Sequence, residues 1–117
     1  MQQLRILKNF NASMEVIAGL QSASASRLKK TWALVPKDKL KLFEELTDLL
    51  SPTSNYSTLR NHIHKGISPP VIPYLGVYLS DLTFLEDGNP DFSGNLINFD
   101  KRRRIATVIN EIKVCIN

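Results

Sequence analysis

Six prolines, placed at four points along the 117 residues, limit where helices can run in this chain. Proline lacks an amide donor and clashes with the preceding turn, so it starts or ends a helix rather than continuing one. Pro36 stands where a helix can begin, Ser51-Pro52 ends that helix, and Ser68–Pro73 must be extended or kinked. The turn-forming run Asp87–Asp91 makes a further break. The chain is therefore divided into short separate segments.

Within these segments apolar residues recur at steps of three and four, which is typical of amphipathic helices. We expect Gln2–Leu20 to form one helix, and Ser54 to cap a later one. The pattern predicts five or six helices and no β-hairpin. A last helix, capped by Asn98 or Asp100, is expected to turn one face inward: Ile105, Val108 or Ile109, Ile112 and Ile116.

The composition is that of an ordinary globular chain, with 43% hydrophobic and 22% charged residues. No apolar run is long enough for a transmembrane helix, and Met1–Phe10 is unlike a secretory signal. A single cysteine, Cys115, cannot form an internal disulfide and is expected to be a small core residue in a reducing, intracellular compartment. His62 and His64 are two residues apart, so on a helix they diverge and predict no metal site.

The chain also lacks a nucleophile elbow and a glycine-rich phosphate loop, so ordinary covalent catalysis is not indicated. Its formal charge of +4 is uneven, because no Lys or Arg occurs from Leu75 to Asp100. The basic run Lys101–Arg104 follows directly. It could contact nucleic acid or phospholipid, but the solvated face of a helix has the same appearance, and we expect no nucleic-acid partner.

The acidic, aromatic segment Tyr74–Asp91 is harder to explain as a core helix, and its β-branched and aromatic content leaves a strand open. Asp81 and Glu86 have no basic residue near them in the sequence. On a helix Thr83 and Asp87, four residues apart, share a face. Such a pair could project into a site that holds phosphate, Mg²⁺ or a lysine, or it could be a solvated helix end.

Five stretches, in this order, resemble the catalytic domain of Ras-family guanine-nucleotide exchange factors. They are Asn9–Leu20, Ser26–Trp32, Pro69–Phe84, Glu86–Pro90 and Leu96–Arg103. Because the blocks occur in the family's order and span nearly the whole chain, the resemblance is specific. It implies an all-α, irregular helical domain fragment with a protruding helical hairpin, at about residues 74–116, that pries open the first switch region of a GTPase.

The resemblance also assigns roles to individual residues. Thr83 and Asp87 stand at the hairpin positions that face the Mg²⁺ and α-phosphate sites, and Gln21 stands where many members have asparagine; these three are the expected catalytic residues. The residues expected to bind the GTPase are Met14, Tyr56, Tyr74, Ser80, Asp81 and Asn89. No metal or other cofactor is implied.

The implied partner is a Ras-superfamily small GTPase of Ras, Rap or Ral type. The implied location is the cytoplasm, with recruitment to the inner membrane surface through the GTPase or through other domains. A non-catalytic helical module that binds a GTPase or another protein is the alternative, since it would need the same docking face.

Residues 2–117 correspond to the C-terminal half of the family's catalytic domain, which predicts weak or no activity for this half alone. A half-domain would leave core-forming surface uncovered. We therefore expect an exposed apolar patch that includes Leu4, Ile6, Leu7, Val16 and part of the last helix.

Overall fold

A computed structural model describes residues 1–116; of Gly66 it describes only the backbone. The fold is all-α apart from one two-stranded ladder, as the resemblance implies. Its helices are α1 (Gln2–Ile6), α2 (Phe10–Gln21), α3 (Ala23–Ser26), α4 (Lys29–Ala33), α5 (Lys37–Leu49), α6 (Thr53–Gly66), α7 (Leu75–Gly88) and α8 (Phe99–Ile116). The strands β1 (Phe92–Ser93) and β2 (Leu96–Ile97) lie between α7 and α8.

The predicted single helix Gln2–Leu20 is wrong, because the chain breaks between α1 and α2. Lys8 adopts a left-handed φ of 53°, and the side chain of Asn9 accepts a hydrogen bond from the amide of Ala12 to cap α2. At the break the backbone pairs with the proline-rich segment instead: Phe10 N donates to Ile72 O at 2.8 Å, and Ile72 N donates to Lys8 O at 3.0 Å. This long-range pairing overrides the local helical pattern.

The core joins α2, α5, α6, α7, α8 and the proline-rich segment. Its buried members are Phe10, Ile17, Leu46, Leu50, Leu59, Val71, Val77, Tyr78 and Cys115. Helix α5 begins after Pro36 and ends before Ser51-Pro52, as the prolines predict.

Ser54 does not cap α6 as predicted. Instead Ser54, Asn55 and Tyr56 all adopt left-handed backbone angles, with φ between 51° and 56°, at the start of the helix. A left-handed conformation costs an ordinary L-residue roughly 1–2 kcal/mol, so this turn requires support from its surroundings.

The segment left open between helix and strand is helical: α7 runs from Leu75 to Gly88. Beyond it, Phe92 pairs with Ile97 and Ser93 with Leu96 in an antiparallel ladder, with Gly94 at φ 62° in the turn. This small hairpin contradicts the expectation of none, because two residues on each side of a turn are too short to show an alternating strand pattern. Asn98 then caps α8, since its side chain accepts from Lys101 N at 3.2 Å.

The inward face of α8 is confirmed for Val108 and Ile112, which pack against the core. It is wrong for Ile116, which is 63% exposed, whereas the neighbouring Cys115 is buried. Consecutive residues on a helix point about 100° apart, so burial of Cys115 directs Ile116 outward.

The molecule is elongated, with extents of 64 × 31 × 18 Å and a radius of gyration of 18.0 Å. A compact chain of this length has a radius of gyration of about 13 Å. Helix α7 packs mainly against α8, so the two form a hairpin that extends from the rest of the fold. No helix within residues 1–116 is long and apolar enough to cross a bilayer.

Parts of the expected apolar surface are indeed exposed. Ile6, Leu7 and Val16 are accessible to solvent, whereas Leu4 is only partly exposed. At the end of α8, Val114 is exposed as well.

Candidate functional site

Helix α7 presents two different faces. Val77 and Tyr78 are buried, and Asp81, the next residue on that side, is half-buried. At about 100° per residue, Thr83 lies about 200° and Asp87 about 240° around the helix from Asp81. Both are exposed, so the two predicted catalytic residues of α7 lie together on its outward face.

The outward face carries one unpaired carboxylate. Thr83 Oγ1 donates to Leu79 O at 2.9 Å, which turns its methyl group and oxygen along the helix surface. Asp87 has no ion pair within residues 1–116 and is open to solvent. Leu79 and Phe84 lie beside them and are 62% and 74% exposed. A free carboxylate on an apolar, projecting helix can enter a site on another protein.

Two further predicted site residues make hydrogen bonds within α7. Ser80 Oγ donates to Gly76 O at 2.9 Å but stays exposed. Asn89 Nδ2 donates to Leu85 O at 3.0 Å and so satisfies a carbonyl at the end of the helix.

Asp81 does have a basic partner, contrary to what the sequence suggests. Arg60 Nη1 lies 2.8 Å from Asp81 Oδ2, and Arg60 Nη2 donates to Asp81 Oδ1 at 3.0 Å. The side chains are 24% and 22% exposed. Sequence reasoning missed Arg60 because it precedes Asp81 by 21 residues and carries no local signal of the pairing.

Tyr56 and Tyr74, both expected to bind the GTPase, are in contact. Their ring centroids are 5.6 Å apart with the ring planes at 57°. Burial, followed by the neighbouring Tyr74, raises the pKa of the Tyr56 hydroxyl, so it remains a neutral donor. Met14 is half-buried against the core, as are both tyrosines.

Gln21 is the last residue of α2 and is exposed. No hydrogen bond joins it to Thr83 or Asp87 within residues 1–116. The structure therefore brings the two predicted catalytic residues of α7 onto one face but leaves Gln21 as a separate surface group.

All four side chains of the basic run Lys101–Arg104 form ion pairs with carboxylates, while Arg102, Arg103 and Arg104 remain exposed on the surface of α8. Lys101, only 2% exposed, places Nζ 3.1 Å from Glu86 Oε1 and 2.9 Å from Asp91 Oδ1. Arg102 also contacts Asp91, at 2.7 Å. The acidic end of α7 and the basic start of α8 therefore neutralise each other.

These contacts shift the pKa values of the groups involved. The ammonium of Lys101 lowers the pKa of Asp91, and Asp91 in turn raises the pKa of Lys101. Arg103 and Arg104, each 2.6 Å from Asp100, lower the pKa of that carboxyl. All these groups are therefore charged at neutral pH.

The histidines show no arrangement that would hold a metal. The ring of His62 contacts Phe10 edge-on at 5.9 Å, and His64 Nε2 lies 3.8 Å from Glu111 beside a cleft of about 510 Å³. Within the described residues no three His, Cys, Asp or Glu side chains cluster.

Comparison with known proteins gives a consistent family assignment. The family model described as the RasGEF domain matches residues 1–103. The chain is 49% identical over 107 residues to Ras guanine nucleotide exchange factor C of Dictyostelium discoideum, an alignment that covers 92% of this chain and 7% of that protein.

Mammalian relatives are similar at lower identity. Ras-specific guanine nucleotide-releasing factor 1 of Rattus norvegicus is 41% identical over 110 residues, covering 93% of this chain and 9% of the relative. Ral guanine nucleotide dissociation stimulator-like 1 of Mus musculus is 38% identical over 143 residues, covering 96% of this chain and 19% of the relative. The chain thus spans under a fifth of the length of these relatives. It belongs to the RasGEF domain family.

Proposed function

We propose that this chain is a guanine-nucleotide exchange module for a Ras-like small GTPase. The observation that carries the proposal is the outward face of α7, where Thr83 and the unpaired carboxylate of Asp87 project together from a hairpin. The names of the relatives, which refer to Ras and Ral, support the class of partner. We expect a GTPase of Ras, Rap or Ral type.

In the proposed mechanism the hairpin enters the nucleotide site of the GTPase. The Asp87 carboxylate repels phosphate and competes for the lysine and backbone amides that hold it. Thr83, one turn earlier, occupies the neighbouring space where Mg²⁺ is bound. No bond is made or broken in the nucleotide, so the chain acts as an exchange factor and not as an enzyme of covalent chemistry.

Exchange in this mechanism depends on differential affinity. The module must bind the nucleotide-free GTPase more tightly than the GDP-loaded form, since equal affinity for both would shift nothing. Each tenfold increase in the GDP release rate requires about 1.4 kcal/mol of such preference in the transition state.

We further propose that residues 2–117 form the C-terminal half of a catalytic domain, with the hairpin at about 74–116. Exposed Ile6, Leu7 and Leu34 support this, because a complete domain would cover such apolar side chains. In this view the chain works in the cytoplasm and reaches the inner membrane surface through its GTPase.

The test is the rate at which fluorescent GDP leaves Ras, Rap and Ral with and without this chain. We expect only weak acceleration with one of the three, because residues 2–117 correspond to half of the catalytic domain, and we expect Asp87→Ala or Tyr56→Ala to reduce it about tenfold or more. Glu44→Gln removes an exposed carboxylate on α5 and is the matched control, expected to change nothing.

Two outcomes would contradict the proposal. If the wild type accelerates release and neither variant slows it, the assignment of Asp87 and Tyr56 is wrong. If the chain binds a GTPase while release kinetics stay unchanged, it is a non-catalytic interaction module.

A further inference from the structure

The rotation of α7 about its own axis is not determined by hydrophobic burial alone. Apolar side chains occur on both faces: Val77 and Tyr78 are buried, whereas Leu75 and Leu79 are 44% and 62% exposed. A helix that is apolar all round can bury similar area at several rotations. A more directional contact is needed to hold Thr83 and Asp87 outward.

The ion pair between Arg60 and Asp81 is such a contact. Two separate nitrogen–oxygen contacts, at 2.8 and 3.0 Å, join the guanidinium to the carboxylate. Bidentate pairs of this kind are geometrically specific. If α7 turned by one residue, Asp81 would leave Arg60 and both charges would lose a partner at a site less than one-quarter exposed.

The same guanidinium also contacts the left-handed turn at the start of α6. Arg60 Nε donates to Asn55 O at 2.9 Å, in the middle of the stretch Ser54–Tyr56. That turn includes Tyr56, whose ring contacts Tyr74 immediately before α7. One side chain therefore contacts the tyrosine-bearing turn and the hairpin helix at once.

We propose that Arg60 is a positioning residue: through Asp81 and Asn55 it fixes the orientation of α7 relative to the Tyr56–Tyr74 surface, and so aims Thr83 and Asp87. The effect of Arg60 on nucleotide exchange rests on the proposed function, whereas its effect on the orientation of α7 does not. It also gives Asp81 an internal role in place of direct contact with the GTPase.

The structural content can be measured without a GTPase. The tyrosines report on both contacts of Arg60: Tyr56 follows Asn55 and packs on Tyr74, and the buried Tyr78 lies one turn before Asp81, where the charge of Arg60 acts on its hydroxyl. With 3-fluorotyrosine incorporated, ¹⁹F NMR should give one resonance per ring in the wild type. Asp81→Asn should shift or split the Tyr78 resonance, and Arg60→Lys should in addition shift that of Tyr56.

Arg60→Lys keeps the charge but loses the fork that reaches two acceptors. Glu45→Gln breaks an exposed pair with Arg5 of similar length, 2.9 Å, and is the matched control that should leave all three resonances in place. Unchanged Tyr56 and Tyr78 resonances in folded Asp81→Asn and Arg60→Lys would overturn the proposal.

The consequence for exchange is tested by a double-mutant cycle. Asp81→Asn should lower the maximal rate of GDP release about fivefold, with little change in the GTPase concentration that gives half the maximal rate. In an Asp87→Ala background the same substitution should cost less than about twofold, because the group being aimed is absent.

Equal losses in both backgrounds would mean a general loss of folded protein and would overturn the positioning role. Absence of any exchange by the wild type would refute the proposed function instead, while the ¹⁹F spectra would still decide whether Arg60 orients α7.

Discussion

Cys115 is buried where α8 meets the core, with its thiol near Tyr78. Burial raises the pKa of the Cys115 thiol, and burial also raises the pKa of the Tyr78 hydroxyl. The folded protein thus retains a thiol proton that the unfolded chain releases above about pH 8.5. Stability that is fully present below that pH is lost as the pH rises.

We therefore expect the free energy of unfolding to fall between about pH 8 and pH 9.5 in urea titrations. The free energy of unfolding of Cys115→Ala should fall less steeply over the same interval. At pH 7 it should be lower than that of the wild type by about 1 kcal/mol, because a buried group is lost. Identical slopes for the two proteins would contradict the assigned role of the buried thiol.

At the scale of residues, the exposed residues of the candidate site could be predicted from the sequence better than the residues that form ion pairs. Helical spacing predicts that Thr83 and Asp87 share a face, and the family resemblance assigns that face to the site. The burial of Cys115 follows from its apolar surroundings. The partners of Asp81 and Glu86 could not be predicted, because Arg60 and Lys101 reach them only through tertiary structure.

At the scale of elements, the tip of the α7–α8 hairpin, where the chain turns from α7 to α8, depends on Lys101. Its ammonium contacts the Glu86 carboxylate, the Glu86 carbonyl and the Asp91 carboxylate, and its side chain is only 2% exposed. Removing Lys101 deletes these contacts together with the packing of its buried methylene chain, although Glu86 and Asp91 themselves stay about half exposed.

We expect Lys101→Ala to lower the thermal midpoint by several degrees and to increase amide hydrogen exchange at the end of α7 and in the β1–β2 ladder. Arg103→Ala is the control: its side chain is 72% exposed and pairs with Asp100 within one turn, so the midpoint should move by roughly one degree or less. Similar shifts of the thermal midpoint in both variants would contradict this role of Lys101.

Lowering the pH should loosen the same region. The Lys101 ammonium holds the pKa of Asp91 below its ordinary value, so this stabilisation is present at neutral pH and is lost as the carboxylate is protonated, at pH below about 4. Hydrogen exchange at the tip of the hairpin should therefore rise in acid before the core opens. Hydrogen exchange that rises uniformly across the chain would argue against this local loosening.

The elements themselves were predictable where proline or capping residues act locally, as at Pro36, Pro52 and Asn98. They were not predictable at Lys8–Asn9 and at Ser54–Tyr56. There, long-range backbone pairing and a left-handed turn held by tertiary contacts override local propensity.

For the whole molecule, surface area is the distinctive quantity. The accessible surface is 8202 Å², whereas a compact monomer of 13.2 kDa exposes about 6,400 Å². Apolar side chains contribute to this excess, among them Leu28, Leu34, Phe92, Leu96 and Phe99. Such surface tends to associate with other apolar surface.

We expect light scattering to give an apparent mass above 13.2 kDa that rises with protein concentration. Leu34→Ser, which alters the most exposed of these side chains at 84%, should reduce the association without lowering thermal stability. A monodisperse monomer at all concentrations would contradict the view that this surface is normally covered.

The central claim is that this chain distinguishes an empty GTPase from a loaded one. The most direct test is its affinity for the same Ras-type GTPase in the nucleotide-free and GDP-bound states, measured by isothermal titration calorimetry. The account predicts at least a hundredfold tighter binding to the nucleotide-free form, about 2.7 kcal/mol. Equal affinity for the two forms would contradict it.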